Sequence, residues 1–355
     1  MAAAVAVFLL GGCTGIGPST VSRDRLDYTA AMAESWKTQM LLNLVKLRYG
    51  DTPVFLDVGQ IVSGYTVQST FTAAGTVNNV SGPVPGVPNS GVGLSAQGQF
   101  IDRPTITYSP LMGERFARSL MTPIPPAAIL SLVQAGYPIS MVFRLTVQTV
   151  NGIDNRSGGD FRARPADPEF YELLDRLQRI QASGVVGMRI QRQGEQEAVV
   201  MSFRQRVDPD VEAEVLAVRK MLGLDLNSRE FRVVYGSVAA NDKEVAILSR
   251  SILDVLVELS SFISVPEVHV TEHRVGPTAA PDEGPRGPVP PLIRIASGAD
   301  RPGDSFVAVT YRGHWFWIDD RDIRSKRLFS FIMFIFTLVE TGSKEGLPIV
   351  TIPAG

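Results

Sequence analysis

A chain of 355 residues with 45% hydrophobic and 20% charged residues can bury a core without disulfides or metals, as one large domain or two medium ones. Its formal net charge of −2 supplies no global pull toward nucleic acid, which is not expected as a partner. The single cysteine, Cys13, excludes an intramolecular disulfide.

Residues Ala2 to Leu10 (AAAVAVFLL) form an uncharged apolar run with the length and composition of a signal-peptide h-region, too short to span a bilayer as a helix. Gly11, Gly12 and Cys13 follow. The string Leu10-Gly11-Gly12-Cys13 resembles the lipobox of bacterial lipoproteins, with one departure: only Met1 precedes the run, where that family carries Lys or Arg. The resemblance implies a diacylglyceryl group on the Cys13 thiol, cleavage before it, and a product held at a membrane by its acyl chains. Thr14, rather than Asp, after the cysteine implies sorting to the outer membrane on its periplasmic side. Residues 1–12 are then a signal peptide and 13–20 a lipidated tether.

A helix is expected from Ser22 or Asp24 to about Arg48, with Leu26, Ala30, Ala33, Met40, Leu41, Leu44, Val45 and Leu47 on one stripe. Gly50 and Pro53 end it. From Gln68 the pattern changes to period two. Phe71, Ala73, Gly75 and Val77 alternate with Thr70, Thr72, Thr76 and Asn78; after the Pro/Gly-rich stretch Ser81–Gly91, Val92, Leu94, Ala96, Gly98 and Phe100 alternate with small or polar residues. This is the pattern of a long β-hairpin with one apolar face and one polar, nearly uncharged face. The same alternation suits a membrane barrel strand, which requires many hairpins to be pooled, because two strands alone leave edges unsatisfied in lipid.

Further on, a strand at Thr105–Tyr108 and helices at Gly113–Met121 and Pro126–Ala135 are expected, while Ile139–Val150 suits either helix or strand. The Gly-, Asn- and Arg-rich stretch 152–168 reads as a linker between an N-terminal region, 21–151, and a C-terminal α+β domain, 169–355. Within the latter the pattern gives helices at Asp167–Gln181, Pro209–Leu222 and Lys243–Phe262. Strands are expected at Val185–Gln191, Ala198–Gln205, Phe231–Val238 and Val265–Val275, then a solvent loop or disordered insertion over Gly276–Pro291. Strands Leu292–Ile295, Phe306–Tyr311 and Trp315–Ile318 precede a helix capped by Asp319 or Asp320 and reaching Thr341. Its apolar stretch Leu328–Val339 is short of a span and reads as a core helix. The fold class is therefore α+β, a mixed α/β arrangement with an N-terminal helix, a long β-hairpin and a C-terminal mixed sheet packed with helices.

Candidate chemistry is sparse. His269-Val270-Thr271-Glu272-His273 resembles the H-x-x-E-H metalloprotease pattern, which needs a helix to bring His269 and His273 onto one metal with Glu272. The flanks read as a strand, where residues four apart are separated by roughly 13 Å, so no metal is expected. There is no G-x-S-x-G elbow and no P-loop, and no cofactor or catalytic residue is assigned. Candidate partner or membrane contacts are Phe71, Val77, Leu94 and Phe100 of the hairpin and Trp315 and Trp317, which stand near the basic residues Arg324, Lys326 and Arg327. The reading favoured is a membrane-anchored lipoprotein of the cell envelope with a non-catalytic structural or partner-binding role. An oligomeric outer-membrane component inserting the 68–100 hairpin, and an envelope enzyme of unknown class, are the alternatives.

Overall fold

The computed structural model describes residues 18–62, 65–77, 90–102, 105–111, 113–158, 164–184, 186–193, 196–203, 208–340 and 350–353. Cys13 and the lipobox lie outside them. The fold is α+β, and the chain divides into two compact units, residues 1–54 with 112–343 and residues 55–111 with 344–355.

The first unit begins with helix α1 (Pro18–Arg48). Only its C-terminal half is buried, through Met40, Leu41, Leu44 and Val45, whereas Leu26, Ala30 and Ala33 of the expected stripe are exposed. Asn43 fixes the exit of the chain: its side chain donates to the Val54 carbonyl (2.7 Å) and accepts from the Val54 N–H (2.9 Å).

A six-stranded sheet forms the centre of this unit. Strands β5 (Val147–Val150), β6 (Ile153–Asp154), β7 (Val186–Gln193), β8 (Gln196–Phe203), β9 (Glu230–Tyr235) and β10 (Glu244–Ser249) stand in the order β6-β5-β10-β9-β8-β7. Only β9 and β10 are parallel. Helices α3 (Pro126–Gln134), α4 (Ile139–Thr146), α5 (Pro168–Ser183) and α6 (Pro209–Met221) contribute Ile129, Phe143, Phe170, Leu174 and Val218 to the core with Phe231 and Ile247 of the sheet. Helix α2 (Glu114–Met121) precedes these in the chain.

Four expectations are corrected here. The stretch 152–168 lies inside the first unit: Asn151 (φ 45°) and Gly152 (φ 84°) form the tight turn from β5 to β6, and Asn155 and Arg156 are buried. The expected helix Lys243–Phe262 is strand β10 followed by helix α7 (Ile252–Ser260). The break is local chemistry. Ser251 Oγ accepts from the Asp254 N–H and Asp254 Oδ2 accepts from the Ser251 N–H, both at 3.1 Å, a capping box that starts a helix where the β-branched run ends. The expected strand Val265–Val275 is a short helix, α8 (Glu267–Thr271), entered through Pro266 at its N-cap. Finally, Gly276–Pro291 is tied to the unit rather than free in solvent. Arg48 donates to the Gly276 and Pro277 carbonyls, Asp282 is buried, and β11 (Glu283–Gly284) pairs with β12 (Gly287–Pro288).

The C-terminal part adds strand β13 (Ala296–Gly298), strands β14 (Ser305–Tyr311) and β15 (His314–Asp319), and helix α9 (Ile323–Glu340). The last two strands are joined by Arg312 (φ 47°) and Gly313 (φ 81°), the left-handed pair that a two-residue hairpin demands. Helix α9 is capped by Asp322, not Asp319 or Asp320: its Oδ1 accepts from the Ser325 N–H at 3.0 Å. Its apolar stretch buries Leu328, Phe329, Phe331, Ile332, Ile335 and Phe336. No helix among the described residues is long and apolar enough to cross a membrane.

Several of these elements converge on the carboxylate of Glu258 on α7, whose side chain is 3% exposed. Arg156 Nε lies 3.3 Å from Oε1, Arg250 Nη2 lies 3.5 Å from Oε2, and the Gly158 N–H donates to Oε2. Gly158 is required for that approach, because a Cβ there would stand 2.8 Å from Glu258 Oε2 and 3.1 Å from its Cα. Arg250 in turn donates to the Arg144 (2.8 Å) and Leu145 (3.2 Å) carbonyls, covering the C-terminal end of α4, and burial pushes its pKa down. Replacing Glu258 with Ala leaves two buried guanidiniums without their shared counter-charge and is expected to cost about 3–5 kcal/mol. Breaking the exposed Asp175–Arg286 pair is expected to leave stability nearly unchanged, because solvent screens it. Urea unfolding of the two variants checks this ordering.

In the second unit, strand β1 (Phe55–Val62) pairs antiparallel with β4 (Thr105–Leu111), which also pairs with β16 (Val350–Pro353). Strands β2 (Tyr65–Val77) and β3 (Ser90–Asp102) form a two-stranded ribbon.

Candidate functional site

The ribbon is the element whose geometry bears most directly on function. Its ladder runs without a bulge from Tyr65 opposite Asp102 to Val77 opposite Ser90. In the neighbouring ladder Val62 pairs with Thr105, so two residues on each strand lie between the β1–β4 and β2–β3 ladders in sequence. The single irregularity is a bulge between Val58 and Gln60 near the base.

Register decides whether two alternating strands cooperate. Residues directly opposite share a face, and a slip of one residue would mix the two faces. Here Phe71 stands opposite Ala96, Ala73 opposite Leu94, Gly75 opposite Val92 and Val67 opposite Phe100. Phe71, Val77, Leu94 and Phe100 therefore occupy one face. The other face carries Gln68 opposite Gln99, Thr70 opposite Gln97 and Thr72 opposite Ser95. No charged residue occurs between Asp57 and Asp102 in the sequence. Each strand has 13 residues, about 40 Å at ~3.3 Å per residue. Among the described residues, β2 and β3 pair only with each other, so both outer edges present unpaired backbone groups. Of the expected tip, Ser81–Gly91, residues 81–89 lie outside the described residues, and Ser90 and Gly91 belong to β3.

Trp315 and Trp317 stand on the other unit, on β15, half-buried on the face opposite the buried Phe316 and Ile318. Their neighbours across the sheet are small: Gly298 and Thr310 flank Trp315, and Ala296 and Ala308 flank Trp317. The Arg301 guanidinium lies 5.6 Å from the Trp315 ring centroid. The nearby basic residues are partly engaged, since Lys326 pairs with Asp320 at 2.6 Å, while Arg324 and Arg327 remain exposed.

The histidine string folds differently from its expected strand but does not form a metal site on its helix. His269 lies within α8, Glu272 is its C-cap and His273 has left the helix with φ 55°. His269 is buried, whereas Glu272 and His273 are exposed, and Glu272 pairs with Arg274 at 2.5 Å. No group of three or more His, Cys, Asp or Glu among the described residues is placed to hold a metal ion.

His269 has a structural partner that sequence spacing could not reveal. Its Nδ1 shares a 2.7 Å hydrogen bond with Tyr49 Oη, 220 positions away, and its ring meets His314 edge-on at 4.7 Å between centroids. Tyr49 also contacts Tyr311 and Phe316, and Arg312 lies 5.3 Å from its ring. This cluster fastens the end of α1 to α8 and to the β14–β15 hairpin.

No protein-family model, no curated protein and no solved structure matches the chain.

Burial lowers the His269 pKa from its ordinary value of 6.5, with His314, Arg274 and Arg312 acting in the same direction and Glu272 against them. The unfolded chain thus binds a proton at this position more readily than the folded one. The stability held by neutral His269 is present above about pH 6.5 and is lost as pH falls through that value toward the lower folded pKa. Denaturant midpoints at pH 7.5 and 5.5 are expected to fall more steeply for the wild type than for His269→Asn; parallel declines would contradict this assignment.

Proposed function

We propose that this chain is a lipid-anchored component of the bacterial cell envelope, tethered through Cys13 to the outer membrane on its periplasmic side, with a non-catalytic assembling role. Its folded part presents the β2–β3 ribbon to an envelope partner or to further copies of the chain. The observation that carries the assembling role is the register that gathers Phe71, Val77, Leu94 and Phe100 on one face of a ribbon with two open edges. An apolar face and open edges are both stabilised by a partner: the first by removal from water, the second by strand addition. The anchor rests on Leu10, Gly12 and Cys13, whose small residues before the thiol suit a protease cleft and whose resemblance is to the lipobox.

A second reading is favoured by the ribbon's length and charge. A membrane strand needs about 9–11 residues tilted near 45°, and β2 and β3 have 13 each with Asp102 alone charged, at the base. In this reading, copies of the chain pool their ribbons into a barrel with Phe71 and Leu94 toward lipid and Gln68, Thr70 and Gln97 toward water. Closure removes the open edges, so insertion and oligomerisation are one event.

Metabolic labelling with palmitate tests the anchor: incorporation into the wild type and its loss in Cys13→Ala is the expected result, and equal labelling of both would sink the assignment. For insertion, proteinase K digestion of reconstituted vesicles is expected to leave a protected fragment from 65–102. Cleavage there as fast as in detergent would exclude the barrel.

A further inference from the structure

The first unit contains a cleft of about 360 Å³ beside the Glu258 network, between the C-terminal end of α4, α5, the turn after α7 and the 278–296 segment. Three guanidiniums, Arg144, Arg156 and Arg294, reach its wall, and Asp282 is the single carboxylate there. The charges do not balance. Asp282 Oδ1 lies 3.3 Å from Arg156 Nη1, and Asp282 Oδ2 accepts from Tyr171 Oη at 2.6 Å. Glu258, behind the wall, is already shared by Arg156 and Arg250. Two carboxylates are thus spent on two arginines, and Arg144 is left over.

Arg144 Nη2 donates to the Pro290 carbonyl at 2.8 Å, and its guanidinium lies 5.8 Å from the Tyr171 ring; it forms no ion pair within the described residues. Burial and the Arg324 charge both push its pKa down, against Tyr171, Asp282 and Glu258. Arg294, at the rim, is 69% exposed with its nearest carboxylate, Asp322, at 3.8 Å. The wall also carries the apolar side chains of Phe262, Val289 and Ile295, with the Phe262 ring centroid 5.0 Å from the Arg156 guanidinium. Surplus guanidinium in a partly desolvated concavity is costly unless an anion meets it, and the planar fork of arginine matches carboxylate and phosphate oxygens.

We propose that this cleft binds a small organic oxyanion, a carboxylate or phosphate monoester carrying an apolar chain, with its charge against Arg144 and Arg294 and its chain against Phe262, Val289 and Ile295. The site is independent of the ribbon and of the lipid on Cys13.

Isothermal titration of the full chain with octanoate, octyl phosphate and inorganic phosphate tests it. One of the two organic anions is expected to bind at a single site, with affinity falling about tenfold or more in Arg144→Gln and in Arg294→Gln. Arg312→Gln, at a residue that does not line the cleft, should bind as the wild type does. Arg294 is exposed, so its variant retains the fold and decides the matter even where Arg144→Gln unfolds. Inorganic phosphate, without a chain to bury, should bind more weakly than octyl phosphate; equal affinity would remove the apolar wall from the site. Absence of binding by either organic anion, or unchanged affinity in Arg294→Gln, would overturn the proposal.

Discussion

Both strands of a two-stranded ribbon are edge strands, so each has one side of its backbone ladder open to a further partner. Strands in globular folds escape this by lying between neighbours or against helices. In the second unit, β4 gains β16 as a neighbour, but β2 and β3 pair only with each other among the described residues. The uninterrupted register makes the constraint sharper. Had the ladder slipped by one residue, Phe71 and Leu94 would stand on opposite faces and neither would be apolar; instead the two alternations coincide over the whole ribbon. The proposed function follows from asking what covers that face and those edges.

The first unit depends on a different balance. Glu258, in the last turn of α7, holds Arg156 from the loop after β6 and Arg250 from the residue before the α7 cap, whose other bonds reach the end of α4, and so offsets two arginines at once. Breaking such a centre is costly because both guanidiniums are largely buried, Arg250 most of all, and would lose a shared counter-charge. The same economy of charge leaves Arg144 facing a cleft, so one network supplies both rigidity to the fold and an electropositive wall beside it. The His269–Tyr49 contact plays a smaller part, fastening α1 where only its C-terminal half is buried.

Periodicity revealed most of the elements because most have one buried face. The ribbon is legible for a stronger reason: its two strands alternate in phase and its connecting stretch is rich in Pro and Gly, so the pairing is written in the sequence. The α+β class followed from the same patterns. Three segments misled for physical reasons. In Lys243–Phe262 a buried strand runs directly into a buried helix, and continuous hydrophobicity conceals the Ser251–Asp254 box between them. In Val265–Val275 β-branched residues suggested a strand, but Pro266 starts a helical turn that His273 ends with a positive φ. In Gly276–Pro291 composition suggested a solvent loop, whereas Arg48 and Arg156 hold its carbonyls from far away in the chain. Long-range partners of this kind have no local signature, and for the same reason the cleft around Arg144 and the Tyr49–His269 bond were invisible to spacing. The residues that assign the anchor, Leu10 to Cys13, are read from sequence alone.

The central claim is that the ribbon's apolar face is where this protein assembles. The most direct measurement is the mass, by light scattering, of the chain extracted from membranes in non-ionic detergent, compared with a Phe71→Asp/Leu94→Asp variant. Charges on that face should abolish assembly while leaving the remainder of the fold and the anchor in place. The expected result is a particle several times the mass of one chain for the wild type and a single chain for the variant. A single chain in both, or the same large particle in both, would contradict the account.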